Sequence, residues 1–261
     1  MEIVDLTEEH KQLFACCLED WSDDAKEAGT RRARWVDRSL KEGLRAKLAI
    51  DDRGEVGGMI QYLPVERSII DGEGLYFVHC VWVHGHAKGR GNFQKHGLGS
   101  ALLTAAEADA RERGANGMAA WGLWLPFWMR ASWFKKRGYK KADRQGVSVL
   151  LWKSFSEDAL KPRWLPKRRE LPEPSSGKVD VTVFVHGWCM AMNLVAERAK
   201  RAAIEIGDAV VYREFDTSDR EAMIRWGQTD AVFVDGKSVR NGPPPSYEKI
   251  RAIIAKRAAR L

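Results

Sequence analysis

A glycine-rich loop is the part of the sequence whose residue types and spacing best fit a chemical role. The run Gln94-Lys95-His96-Gly97-Leu98-Gly99-Ser100 lies between a strand-like segment and an alanine-rich helix. Backbone N–H groups in the first turn of a helix have no intrahelical acceptor, and the helix dipole adds partial positive charge there. Glycines let a ligand approach the backbone. The loop is therefore predicted to bind a diphosphate, although an ordinary strand-to-helix turn has a similar composition.

Side chains near this loop could add hydrogen-bond donors to an anion. The spacing fits neither the G-x-G-x-x-G nor the G-x-x-x-x-G-K-[ST] pattern, so neither a Rossmann fold nor a P-loop is indicated. The candidate donors are His86, Lys88, Arg90, Lys95 and His96.

The elements that must hold the loop form an α/β pattern in the first half of the chain. Leu75–Val83 is the most strand-like run because it is rich in β-branched and aromatic residues. The following helix is predicted over 98–113, with Gly114 at its C-terminal cap. The other predicted elements are a strand at 3–6, helices at 8–20 and 31–47, a hairpin within 47–66, a strand at 118–122, an aromatic helix at 127–137 and a strand at 147–153.

A proline-rich basic segment separates this half from a second pattern. Residues 159–177 contain four prolines, which favour an extended, solvated connector. Residues 178–261 then read as a β-α-β-α-β-β-α series, which is typical of a small α/β domain. We therefore predict an N-terminal domain over 1–158, a linker over 159–177 and a C-terminal domain over 178–261.

Composition excludes several classes of protein. The 261 residues are 44% hydrophobic and 30% charged, which excludes a disordered chain. No apolar run reaches the ~18–20 residues of a membrane helix, and the four cysteines form no disulfide framework. We therefore expect a soluble cytoplasmic protein. The net charge of +7 comes mostly from the linker and the second domain, so a nucleic-acid partner is a weak alternative.

The loop and its surroundings resemble the GNAT superfamily of acyltransferases. Gln94-x-x-Gly97-x-Gly99 after a long strand looks like the Q/R-x-x-G-x-G/A motif of that superfamily. Ala131-x-x-Phe134-x-Lys136-x-Gly138-Tyr139 resembles a further segment, and the likeness spans residues 1–155. The second half looks like a YoaP-like, thioredoxin-fold domain, which accompanies one subgroup of that superfamily.

This resemblance implies the GNAT fold, with a mixed central sheet, and an N-acetyltransferase that uses acetyl-CoA. It implies that backbone groups of Val81, Trp82 and Val83 pair with the pantetheine arm like an extra strand. It also implies direct transfer to a small-molecule or peptide amine in a ternary complex. The loop residues that would hold the pyrophosphate are Gln94, Lys95, His96, Gly97, Leu98, Gly99 and Ser100.

The catalytic groups follow less directly from the resemblance. Family members often protonate the leaving thiolate with a tyrosine, but the matching position here is Phe134, so Ser132 or an ordered water would have to act. The candidates for the general base are His79 on the ligand-binding strand and Glu66 or Glu73 from its flanks. A strand histidine is more often a core hydrogen-bonding group. If His79 is the base, His79→Ala should lower turnover without much effect on CoA affinity.

Two local clusters have both functional and structural interpretations. An aromatic cluster could line an apolar or cationic acceptor pocket, or it could form the core-facing stripe of a helix. Its members are Trp121, Trp124, Phe127, Trp128 and Trp133. Basic residues from Arg130 to Arg144 could contact the ribose phosphate of CoA or form a solvated face. His84-Gly-His86 lacks further metal-type spacing, so no metal is expected.

The C-terminal half contains one cysteine in a position of interest. Cys189 opens a predicted helix, where its pKa should be lowered, but Met192 stands where a second cysteine would be needed for internal disulfide exchange. Asp230 stands about where a thioredoxin fold has a proline. The alternatives to the acetyltransferase are a non-catalytic acyl-CoA-binding module and a single-cysteine thiol protein using Cys189. The sequence does not decide between a monomer and a homodimer.

Overall fold

A computed structural model describes residues 1–125, 128–166, 171–239 and 243–261. Contacts divide the chain into two compact units. The N-terminal unit contains Met1–Glu19 and Asp37–Leu165, and the C-terminal unit contains Asp20–Val36 and Pro166–Leu261. Residues 20–36 thus group with the C-terminal part, which no local pattern in the sequence indicates. The predicted boundaries at 158 and 177 stay a prediction, and 167–170 of the predicted linker lie outside the described residues.

The N-terminal unit is built on a large sheet, and its described strands have the following bounds: β1 (Glu2–Asp5), β2 (Arg45–Ile50), β3 (Val56–Pro64), β4 (Ile70–Asp71), β5 (Leu75–Val83), β6 (Gly117–Leu123), β7 (Lys140–Gln145), β8 (Ser148–Ser154) and β9 (Arg163–Trp164). Seven of these described strands form the sheet, in the order β1-β2-β3-β5-β6-β8-β7. All pairs are antiparallel except β5 with β6, so the sheet is mixed, as predicted. The short strands β4 and β9 pair with each other.

Helix α4 forms the main core of this unit. The described helices before the C-terminal sheet are α1 (Glu8–Ala15), α2 (Asp23–Glu27), α3 (Arg31–Lys41), α4 (Leu98–Glu112) and α5 (Ala131–Lys135). The buried face of α4 presents Leu98, Leu102 and Ala106 at helical spacing toward the sheet. Burying each leucine contributes roughly 1.5–3 kcal/mol. The helix therefore fixes the glycine-rich loop that precedes it.

A buried polar network anchors α4 to β2 and β3. The Tyr62 hydroxyl donates to Oδ2 of Asp109 at 2.7 Å, and the same carboxylate pairs with Arg113 at 3.1 Å and Arg45 at 3.3 Å. Burial and the neighbouring Asp109 charge raise the pKa of the Tyr62 hydroxyl. The phenol therefore stays protonated and keeps donating this bond.

Several predicted elements differ from the structure, and the helix predicted over 8–20 already ends at Ala15. The helix predicted over 31–47 ends at Lys41, and Arg45–Ile50 is instead strand β2 between β1 and β3. The aromatic helix predicted over 127–137 is the short α5, and its predicted start lies outside the described residues. Helix α3 ends early because Gly43 adopts φ +99°, a left-handed conformation typical of helix C-termini. The residues that follow then pair with β1 and β3.

The C-terminal unit has the predicted order of elements. These are β10 (Val179–Val185), α6 (Met190–Ile206), β11 (Val210–Asp216), α7 (Arg220–Trp226), β12 (Ala231–Val234), β13 (Lys237–Ser238) and α8 (Tyr247–Ala258). The sheet order is β11-β10-β12-β13, with β10 parallel to β11 and antiparallel to β12. Valines of β10 pack against α6 and α8, so this unit has its own core. No helix among the described residues is both long and apolar enough to span a membrane.

Candidate active site

Strands β5 and β6 diverge in the middle of the large sheet. They pair in parallel only from Leu75–Gly117 to Val78–Ala120. Beyond that point β5 stays paired with β3 as far as Val83, while β6 stays paired with β8 as far as Leu123. The edge of β5 at Val81–Val83 therefore has no strand partner on the β6 side in the part of the chain that the structure describes. A fork opens there in the sheet.

His79 marks the start of this fork. Across β3, Gln61 pairs with Cys80 and Tyr62 pairs with Val78, so His79 is the extra residue of a β-bulge. Its carbonyl oxygen accepts a hydrogen bond from Nε1 of Trp121 at 2.8 Å. The imidazole is buried and lies edge-on to Phe77, with ring centroids 5.1 Å apart. Both strand ladders are thus interrupted at one residue, which sets the geometry of the fork.

The loop before α4 presents a row of backbone donors. Among the described residues, the N–H groups of residues 95–99 have no acceptor, whereas Gln94 donates to Oδ1 of Asn92 at 3.0 Å and Ser100 donates to the carbonyl of Gly97 at 3.0 Å. Lys95 and Gly97 have φ values of +65° and +84°. Left-handed residues within such a turn form an anion-binding concavity. Five successive donors therefore lie at the positive end of a 15-residue helix.

Fork and loop enclose a cleft of about 760 Å³, called the central cleft below. Three described segments form its walls: the end of β5, the loop before α4, and the chain around α5. The lining residues are Val81, Trp82, Val83, Phe93, Gln94, Lys95, Gly97, Leu98, Gly99, Ser100, Trp128, Met129, Arg130, Trp133, Phe134 and Arg137.

The Arg137 guanidinium lies beside the N-terminal turn of α4. It donates to Oγ of Ser100 at 3.1 Å and to the carbonyl of Trp133 at 2.8 Å, and it stacks 3.8 Å from the centre of the Trp133 ring. Burial lowers the pKa of this guanidinium, but an arginine stays charged at neutral pH. Burial is the cause of this shift, and no carboxylate contributes to it in the part of the chain that the structure describes. Its positive charge is therefore available to an anion.

The structure brings nearly all predicted cofactor residues together. Of the ten, only His96 is absent from the described lining of the central cleft. The Gln94 side chain lies against Gly85, where it fills the space that a Cβ at residue 85 would need. Two of the proposed accessory donors face carboxylates instead: His86 lies 3.8 Å from Glu19, and Arg90 lies 3.1 Å from Glu55. Their assignment to a cofactor stays a prediction.

The predicted catalytic residues are not gathered in the cleft. Glu66 is exposed, and its Oε1 accepts from the N–H of Gly74 at 2.9 Å. Ser132 is exposed on α5, and His79 lies at the bulge beside the fork. Phe134, which holds the place of the tyrosine in the resemblance, is buried between Trp133 and Tyr139. Phe93 and Met129 also line the cleft, and no sequence motif indicated either of them.

The C-terminal unit buries an acidic group near Cys189. Cys189 is the N-cap residue of α6, and Oδ1 of Asp230 accepts the N–H of His186 at 2.9 Å. Burial raises the pKa of the Asp230 carboxyl to about 6, and backbone bonds from His186 and Gly187 offset part of this effect. The thiol role of Cys189 stays a prediction.

The raised pKa of Asp230 predicts a pH-dependent stability of the C-terminal unit. An unfolded aspartate titrates near pH 4, so the folded state holds the proton more tightly. The resulting stabilisation is present below about pH 4 and is lost as the pH rises through about 6. The expected loss is about 2–3 kcal/mol. Hydrogen exchange of β10 peptides across this range, corrected for intrinsic rates, measures it.

Asp230→Asn should flatten this pH profile and stabilise the unit at pH 7.5. The exposed carboxyl of Asp208 offers the control, because Asp208→Asn removes a solvated charge from the same unit. A wild-type profile that is already flat would contradict the assignment.

Comparison with known proteins supports the assignment of the N-terminal part. Residues 6–124 match the profile of the family described as Acetyltransferase (GNAT) family. No curated protein matches the sequence.

Similar solved structures come from several organisms. A GNAT-family acetyltransferase from Desulfovibrio desulfuricans is 20% identical, with a TM-score of 0.45, over 59% of this chain and 99% of its own. A Brucella melitensis GNAT acetyltransferase in complex with acetyl-CoA is 20% identical, with a TM-score of 0.40, over 62% and 94%. An N-acetyltransferase from Thermoplasma acidophilum in complex with coenzyme A is 16% identical, with a TM-score of 0.44, over 59% and 98%.

The family match covers the strands of the fork, the row of amide donors and helix α4. Residues 6–124 of this chain therefore form an acetyltransferase domain of the GNAT family.

Proposed function

We propose that this domain transfers an acetyl group from acetyl-CoA to a primary amine by direct attack within a ternary complex. The observation that carries the proposal is the row of N–H groups at residues 95–99, which opens into the central cleft beside the unpaired edge of β5. A diphosphate is the ligand that such a row at a helix N-terminus suits best.

The unpaired edge of β5 suits the pantetheine arm. That arm contains two amides, and a strand edge offers alternating N–H and C=O groups at matching spacing. Val81 and Val83 side chains face Gly99, with Cγ atoms 4.0 Å and 3.7 Å from the position that a Cβ would take. These contacts close the space between β5 and α4, so the arm would run along the unpaired edge of β5 within the fork and carry the thioester toward the bulge at His79.

Arg137 is proposed to bind a phosphate of the cofactor. We expect Arg137→Gln to weaken acetyl-CoA binding about tenfold, since a charge-assisted hydrogen bond contributes about 1.5 kcal/mol or more. Isothermal titration with acetyl-CoA measures the change. Arg144→Gln is the control, because Arg144 is exposed and lies over the ring of Trp124. Equal affinities of the wild type and Arg137→Gln would remove Arg137 from the site.

The chemistry left to the protein is limited. The amine nitrogen bonds to the thioester carbonyl carbon, the C–S bond breaks, and its electron pair leaves as the CoA thiolate. Phe134 has no proton to give, so the thiolate takes its proton from water or from Ser132, which is the predicted alternative. Among the predicted bases, His79 lies nearest the fork, since its backbone forms the bulge. Glu66 is engaged by Gly74.

Two-substrate kinetics tests the proposal. Direct attack predicts intersecting lines in double-reciprocal plots and no acetyl group on the protein after incubation with acetyl-CoA alone, as judged by intact mass. Parallel lines with an acetylated cysteine would indicate a covalent intermediate instead. Acetyl-CoA binding without release of CoA in the presence of amines would favour the non-catalytic binding module.

We also propose that the C-terminal unit is a YoaP-like domain with a thioredoxin fold. The β-α-β-α-β-β-α order and the central position of β10, parallel to β11 and antiparallel to β12, support this.

A further inference from the structure

The acceptor side of the fork is built from tryptophans. Trp121 follows the point where β5 and β6 separate, and its indole is fixed by the 2.8 Å bond to the His79 carbonyl. The ring of Trp128 packs edge-on against Trp121, with centroids 5.4 Å apart. An aromatic wall thus stands next to the bulge, where the thioester is proposed to lie.

Much of this aromatic surface is open. Trp128 is 39% exposed although it lines the central cleft. Trp82, at the end of β5, and Met129 line the same cleft. A ligand that covers the exposed part of the Trp128 ring would gain roughly 25 cal/mol for each Å² of apolar surface removed from water.

The charges of the cleft select among amines. Its described lining contains no aspartate or glutamate, and Lys95 and Arg137 lie at the end that is proposed to hold the cofactor phosphates. A polyamine or aminoglycoside carries several positive charges, for which this lining provides no carboxylate partner. An amine with one nitrogen and a flat apolar body needs fewer such partners and would pack against the aromatic wall.

We infer that the acetyl acceptor is a primary amine carried on an aromatic body, bound with its ring against Trp128. This inference rests on the proposed acetyl transfer. The amine nitrogen bonds to the acetyl carbon as the C–S bond breaks, and the proton lost by nitrogen passes to the thiolate or to water. The ring contact orients the nitrogen toward the thioester.

The test compares amines on the full chain. Initial rates of CoA release are measured with 2-phenylethylamine and tryptamine against spermidine and kanamycin, and the acetylated products are identified by mass spectrometry. We expect kcat/KM for the two aromatic amines to exceed that for the two polycations at least tenfold. Trp128→Ala should lower kcat/KM for the aromatic amines about tenfold, while Trp128→Phe retains most of it.

Two controls separate this inference from the proposed function. Trp124→Ala removes a tryptophan that is 58% exposed and outside the described lining of the cleft, so it should leave the rates unchanged. Titration with acetyl-CoA should give the same affinity for Trp128→Ala as for the wild type. Failure of acetyl-CoA to bind the wild type would overturn the proposed function itself.

The remaining outcomes bear on the acceptor alone. Faster acetylation of spermidine or kanamycin would overturn the inference and leave acetyl transfer intact. Binding of acetyl-CoA with no acetylation of either aromatic amine would also overturn it, as would wild-type rates for Trp128→Ala.

Discussion

Gly97→Glu should abolish the stabilisation of the protein by acetyl-CoA. At a hundredfold excess over Kd, a ligand stabilises the folded state by about 2.7 kcal/mol, which corresponds to roughly 5–10 °C in Tm. A side chain at residue 97 would point into open space at the row of amide donors, and its carboxylate would repel the diphosphate. Thermal unfolding with and without acetyl-CoA measures the effect.

Gly114→Glu is a matched control at the other end of the same helix. Gly114 has φ +78° against +84° at Gly97, and a Cβ at either position meets nothing within 4 Å. Both variants therefore carry similar backbone strain, of order 1 kcal/mol. Only Gly97→Glu should lose the ligand-induced shift. A wild-type shift in Gly97→Glu would exclude the loop as the diphosphate site.

Arg31→Ala should cost the C-terminal unit about 2 kcal/mol of unfolding free energy. Nε of Arg31 lies 2.6 Å from Glu197, and its terminal nitrogens bind both carboxylate oxygens of Glu214. Removal of this side chain leaves two partly buried carboxylates without their cation. Removing one partner of an ion pair lowers the free energy of unfolding more than replacing the whole pair does. Burial, and next the neighbouring Glu214, raise the pKa of the Tyr212 hydroxyl. Tyr212 therefore stays uncharged and supplies no positive charge to the Glu214 carboxylate.

Arg34→Ala serves as the control for this prediction. Arg34 is exposed on the same helix, and its removal should change stability by less than about 0.5 kcal/mol. Urea unfolding followed by hydrogen exchange of α6 peptides reports on the C-terminal unit. Equal losses in the two variants would show that residues 20–36 do not stabilise that unit through Arg31.

The regular elements around the loop were predictable because local signals and tertiary contacts agree. Leu75–Val83 has the predicted bounds, since its apolar and β-branched residues suit a central strand. Helix α4 starts after Gly97 and ends near Gly114, as predicted, because both glycines adopt the left-handed conformation that helix caps favour.

Other features depend on contacts that no local pattern records. Strand β7, Lys140–Gln145, is highly charged and was not predicted, yet it pairs with β8 at the edge of the sheet, where charge is tolerated. Arg31 and Glu214 are 183 positions apart, so their pairing left no local signal. The bulge at His79 arises from the register with β3.

The candidate site was also predictable only in part from local sequence signals. The motif from Gln94 to Gly99 indicated the amide donors, but the bond from Gln94 N–H to Asn92 shows that the row begins one residue later. The tryptophans at 121, 124, 128 and 133 had two interpretations. Trp128 and Trp133 line the central cleft, but Trp121 and Trp133 also pack against the hydrophobic core, so the acceptor pocket stays a prediction.

Amide NMR spectroscopy of the isotopically labelled full chain tests the central claim most directly. Addition of coenzyme A should shift the N–H resonances of residues 95–99 more than any others, with a second group of shifts at Val81–Val83. The diphosphate would bind the first group, and the pantetheine arm would pair with the second. Unchanged resonances at residues 95–99 in the presence of saturating coenzyme A would contradict the account.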